Sequence, residues 1–121
     1  MGCVTHLYVL LIYQQFSFMY MPENIYHITT KHDWDKALQL GYYEAPSLAI
    51  EGFIHCSTNE QVEGVLHRYY RGQTGLLKLV IDPLKLQNEL KYELAPSVHE
   101  LFPHVYGPIH TGAVVSIAEI D

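Results

Sequence analysis

A chain of 121 residues is long enough for one ordinary domain and too short for two. Hydrophobic residues make up 49% and charged residues 17%, which supplies a core and argues against global disorder. Seven Lys and Arg against 13 Asp and Glu leave a net charge of −6, and the basic residues are scattered singly, so duplex nucleic acid is a poor partner. The two cysteines, Cys3 and Cys56, cannot build a disulfide framework, and no C-x-x-C pair occurs, so a reducing cytoplasm is the expected location. Ten tyrosines and eight histidines are the compositional excess.

Residues 1–20 contain no Lys, Arg, Asp or Glu. Their apolar run, Leu7–Tyr13, is interrupted by Gln14 and Gln15 and falls short of the about 20 residues that a membrane-spanning helix needs. A basic n-region and a small-residue cleavage site are both missing, and His6 stands where myristoylation after Gly2 wants Ser or Thr. The segment reads as an upstream extension of a single domain spanning 21–121, with no stable membrane insertion expected. An added helix or strand, or a weak membrane-surface anchor, is the alternative.

Ile25–Thr29 alternates and is rich in β-branched and aromatic residues, which predicts a strand with Ile25, His27 and Thr29 on one face. Thr30 then caps a helix, with Asp33 answering it; Trp34, Ala37 and Leu38 follow helical spacing and Gly41 stops it. Residues 42–51 read as a loop with a short helical turn, and Gly52–Cys56 as a short buried strand. Ser57-x-x-Glu60 and Thr58-x-x-Gln61 both match a capping box, so a helix follows, with Val62, Val65, Leu66 and Tyr69 as its apolar stripe and Gly72 as its stop. Leu76–Ile81 is a strand closed by Asp82-Pro83. Glu89–Leu94 alternates strictly, with Glu89, Lys91 and Glu93 on its polar face. Pro96, Pro103 and Pro108 break up the stretch around Val105-Tyr106, and Ala113–Ile120 is a final strand. Helices early and strands late predict an α+β domain.

Three histidines, His27, His55 and His104, lie in apolar, strand-like surroundings. A neutral imidazole beside Thr or Ser can donate at one nitrogen and accept at the other, which suits a sugar hydroxyl or a carboxamide. For any one of them the alternative is a core histidine satisfied by a backbone carbonyl. His55-Cys56 are adjacent and no H-x-x-x-H occurs, so no metal is expected. Cys56 shares the core-side face of Ile54 and reads as a buried structural cysteine rather than a nucleophile. Glu93 is either a solvated strand residue or a carboxylate that orients a ribose hydroxyl or acts as a general base. Neither G-x-G-x-x-G, a Walker loop, G-x-S-x-G nor H-E-x-x-H is present.

Taken together, IYHITT with Trp34 and Ala37, EGFIHCST with Gln61-Val62, LLKLVID, KYE, and FPHVYGPI followed by Ala113-Val114 resemble the domain of unknown function 952 family. The resemblance runs from residue 24 to about 118 and has no counterpart for 1–20. It implies a fold similar to the ADP-ribosyltransferases, which bind NAD in a cleft between two small sheets, antiparallel or mixed, with two main helices early in the chain. In the poly-ADP-ribosyl branch a strand His followed by Gly and Ser or Thr holds the NAD ribose and carboxamide. His27-Ile28-Thr29 resembles that element, with Ile in place of Gly. A Gly-led strand bearing a Tyr follows in that branch; Gly52–Ser57 resembles it, with no Tyr and with His55 as the candidate replacement. For the catalytic Glu of that branch the nearest position is His104, before Val105-Tyr106, with Glu93 as runner-up.

The resemblance therefore implies that NAD or a related ADP-ribose nucleotide binds in a histidine-lined cleft. His27 and Thr29 would hold the ribose and carboxamide and His55 and Ser57 the opposite wall. His104, Tyr106 and Glu93 would place an acceptor or stabilise charge during transfer or hydrolysis at the nicotinamide ribose. The alternative is a non-catalytic small-ligand or protein-interaction module on the same fold. Two further expectations follow: His27, His55 and His104 converge on one concave site, and His27→Ala leaves folding nearly intact.

Overall fold

The structure, a computed structural model, describes residues 22–120; the segment 1–20, read as an extension, lies outside them. Eight strands, three α-helices and three short 3-10 turns follow one another among the described residues. Strand β1 (Ile25–Thr30) leads directly into helix α1 (Lys31–Leu40). Thr30 caps the helix by accepting from the Asp33 amide, and Gly41 ends it in a left-handed conformation, φ 87°, which only a residue without Cβ takes at no cost. After the two-residue β2 (Tyr42–Tyr43) comes a short helix, α2 (Pro46–Glu51), where the sequence predicts a loop with a helical turn. Gly52, expected to lead a strand, instead closes α2 at φ 87°, and the following strand β3 shrinks to Ile54–His55.

Of the two overlapping capping boxes, Thr58 and Gln61 form the one that is made, opening a 3-10 turn and helix α3 (Val62–Tyr69). Strand β4 (Leu76–Ile81) follows, then β5 (Leu90–Ala95), β6 (Glu100–Val105), β7 (Ile109–His110) and β8 (Val114–Ile120). Strand β6 is longer than the prolines suggest, because Pro103 is accommodated inside it: its carbonyl accepts the Cys56 amide at 2.9 Å, and its nitrogen has no hydrogen to leave unpaired.

Every strand pair is antiparallel. One sheet has the order β1-β4-β8, a second β3-β6-β5, and β2 pairs with β7. Ser57 stitches the two larger sheets together by exchanging both backbone hydrogen bonds with Tyr26, at 2.7 and 2.8 Å. Segment 54–57 thus pairs with β6 on one side and β1 on the other.

In sheet β1-β4-β8, strands β1 and β4 are packed on both faces, whereas residues 115–119 of β8 are exposed. Ile25, Leu77, Leu79 and Ile81 pack with Trp34 and Ala37 of α1 and with Ile54, Val105 and Ile109. On the reverse face Ile28 and Leu76 pack with Val62, Val65 and Leu66 of α3. Burying each such aliphatic side chain contributes about 1.5–3 kcal/mol. His27 and Thr29 belong to the first face by alternation, and both are buried there. The result is an α+β domain of small antiparallel sheets with few helices.

Candidate functional site

Residue order alone sets up one wall of the site. Gly52 turns the chain out of α2, the Ser47 hydroxyl donates to the Phe53 carbonyl at 2.8 Å, and Ile54 buries itself completely. Alternation then puts Phe53 and His55 on the face opposite Ile54. The β3–β6 register sets His55 directly opposite His104, with ring centroids 5.1 Å apart. Phe53 stacks on the His104 ring at 4.1 Å and meets the His55 ring edge-on at 4.8 Å. Aromatic contacts of this kind contribute about 0.5–1.5 kcal/mol each beyond the area they bury.

Each of the two histidines is held by its own carboxylate. His55 Nε2 donates to Glu51 of α2, and His104 Nδ1 donates to Glu93 Oε1 at 2.9 Å. An ionised carboxylate only accepts, so it fixes the proton on the nitrogen it faces. A neutral ring held in this way keeps its lone pair on the other nitrogen, His55 Nδ1 or His104 Nε2. The backing carboxylate orients each ring. Glu93 also accepts from the Tyr106 hydroxyl. The Tyr106 and His104 hydrogen bonds hold its carboxyl below the ordinary carboxylate value, and the same bond to Glu93 raises the Tyr106 phenol.

His27 has a different environment. Its Nδ1 lies 2.6 Å from the His55 carbonyl and its Nε2 2.8 Å from the Tyr43 hydroxyl, which is 3.0 Å from the Thr29 hydroxyl. Burial pushes its pKa down to about 4, so the ring is neutral at pH 7. The carbonyl requires the hydrogen on Nδ1, which leaves Nε2 to accept the Tyr43 proton, and the Thr29 hydroxyl then donates to the Tyr43 oxygen. Both His27 nitrogens and the Thr29 hydroxyl are thus occupied by protein groups. His27 thereby holds the backbone carbonyl of His55. A ring only 7% exposed and bonded at both nitrogens argues against the expectation that His27→Ala leaves folding nearly intact.

A cleft of about 770 Å³ opens beside these groups, and His27, Thr29, His55, Ser57 and His104 all contribute to its lining. The three histidines therefore do meet at one concavity. Glu93 and Tyr106 are not part of the lining and reach the cleft through His104. Cys56 is 2% exposed and burial pushes its thiol up to about 12, which keeps it protonated and unreactive. Among the described residues no cluster of three or more His, Cys, Asp or Glu is placed to hold a metal ion, and no helix is long and apolar enough to cross a membrane.

Sequence reasoning missed Phe53, Glu51 and Tyr43. The spacing Glu51-x-x-x-His55 was a signal that could have revealed one dyad. The positions of Phe53 between two imidazoles and of Tyr43 under His27 depend on packing between elements and have no local signature.

An antiparallel α+β domain with two carboxylate-backed histidines on the wall of a cleft is the class that fold and site define. Residues 28–117 match the family model described as Protein of unknown function (DUF952), and the chain belongs to that family. The crystal structure of protein CC0527 from Caulobacter crescentus is similar, with 32% identity, a TM-score of 0.74, and coverage of 81% of this chain and 86% of that one. The solution structure of the same bacterial protein gives 31% identity and a TM-score of 0.67, over 81% and 84% of the two chains. No curated protein matches the chain.

Proposed function

We propose that the cleft binds NAD or a related ADP-ribose nucleotide through its nicotinamide-ribose end, with His55 and His104 as the groups that meet the ligand. One observation carries this reading: two imidazoles 5.1 Å apart, each fixed by a carboxylate, stand on the wall of a cleft sized for one small ligand. Their lone-pair nitrogens match the donors of such a ligand, the ribose hydroxyls and the carboxamide N–H. The choice of nucleotide follows the expectation, implied by the sequence resemblance, of an ADP-ribosyltransferase-like cleft that takes NAD. Transfer or hydrolysis at the nicotinamide ribose is chemistry that a carboxylate-backed histidine can assist as general base. In that role His104 acts with Glu93 and Tyr106 behind it.

Isothermal titration with NAD at millimolar concentration tests the reading. Saturable heat in the natural chain, lost in His55→Ala and His104→Ala variants that remain folded, is the expected result. No heat and no thermal shift would overturn it and leave the non-catalytic interaction module.

A further inference from the structure

We infer that the cleft selects the cationic pyridinium-ribose end of the nucleotide and leaves the diphosphate outside, an inference that rests on the reading just proposed. The argument comes from the charges in the cleft. Asp33 and Glu51 are among the lining residues, and no Lys or Arg is. The sequence of residues 1–21 contains none either. Arg68 lies over the Tyr69 ring at 5.7 Å and Lys91 over the Tyr106 ring at 4.9 Å, and neither belongs to the lining.

A diphosphate is ordinarily met by Lys, Arg or an open helix N-terminus. The N-terminus of α1 touches the cleft at Thr30 and Asp33, but it is already answered. The Thr30 hydroxyl accepts the Asp33 amide at 3.1 Å, the Lys31 amide donates to Gly75 at 3.1 Å, and Asp33 itself places a negative charge in the first turn. A phosphate there would meet a carboxylate. In a concavity with apolar walls, charges of one sign focus the field, so the carboxylates repel a diphosphate and attract a cation.

The rest of the lining fits a flat cation. Phe53, Tyr69 and Tyr70 line the cleft, one face of Phe53 being stacked on His104 and Arg68 lying over one face of Tyr69, and an aromatic face attracts a cationic ring within about 6 Å. His55 and His104 supply lone pairs for ribose hydroxyls. Acceptors, carboxylates and aromatic faces together describe a site for an N-ribosyl pyridinium or a similar cationic heteroaromatic riboside.

Four probes titrated into the full chain at pH 7.5 and low salt separate the terms. Nicotinamide riboside carries the cationic ring without a diphosphate, and ADP-ribose carries the diphosphate without the ring. NAD and NADH share the diphosphate and differ in ring charge. The riboside is expected to bind about tenfold or more tightly than ADP-ribose, and NAD about tenfold or more tightly than NADH, both gaps shrinking as salt screens the field. Asp33→Asn and Glu51→Gln should each narrow the gaps. ADP-ribose equal to the riboside, or NADH equal to NAD, would overturn the selectivity while leaving nucleotide binding intact. Binding by none of the four would overturn both proposals.

Discussion

His55 and His104 stand directly opposite each other across the β3–β6 pair, their rings at 78° to one another with Phe53 against both. The two rings differ in burial: the His55 side chain is 54% exposed, whereas the His104 side chain is 10% exposed. The same cross-strand pair therefore combines a surface group with a nearly buried one.

That asymmetry separates the effects of removing them. His55→Ala keeps the backbone carbonyl that holds His27 and removes contacts of a half-exposed ring, so its cost in stability should be about 1 kcal/mol. His104→Ala removes a stacked, hydrogen-bonded and nearly buried ring and should cost about 1–3 kcal/mol. Urea unfolding of the two variants checks the order, which a larger loss in His55→Ala would reverse.

Stability should depend on pH through His27. Its folded pKa of about 4 lies below its unfolded value of 6.5, so between them the unfolded chain binds the extra proton. The contribution is complete above about pH 6.5 and is lost progressively as pH falls toward about 4. The full difference is about 3 kcal/mol on the usual conversion of pKa to free energy. Melting temperatures of the natural chain and of His27→Gln between pH 4.5 and 7.5 isolate the effect. The natural chain should show the steeper fall, and parallel curves would remove His27 as its source.

Glu93 should set where Tyr106 titrates. The Glu93 carboxylate stabilises the protonated phenol, so Tyr106 titrates above the ordinary tyrosine value of 10.0. In Glu93→Gln its pKa should fall back toward that value, which ultraviolet or NMR titration follows directly. An unchanged phenol would show that the bond is not formed in solution.

Cys56 should be inert. Its thiol is buried and held protonated, so alkylation under native conditions should be far slower than in denaturant. Mass spectrometry after iodoacetamide treatment checks this, and rapid native labelling would show that the β3 segment opens.

Local signals in the sequence identify much of the fold. Alternation in β1, the Thr30 cap, the Gly41 stop and the Thr58–Gln61 box are encoded within a few residues, and the structure uses each. Strand β6 was obscured because Pro103 usually breaks a ladder, and here its carbonyl alone is needed. Gly52 reads as the head of a strand because that position and a left-handed helix stop look alike in sequence. The three histidines were visible as polar residues in apolar strands. Their partners were not, because Glu93 reaches His104 only through the β5–β6 register, which sets Lys91 opposite His104 and Glu93 one step along on the same face.

The most direct test of the central claim is the NMR spectrum of the histidine side chains during a titration with NAD. The account predicts that the ring resonances of His55 and His104 move saturably and together, while buried His27, with both nitrogens occupied, moves little. Unmoved His55 and His104 resonances at millimolar NAD, or shifts confined to His32, His67, His99 and His110, would contradict it.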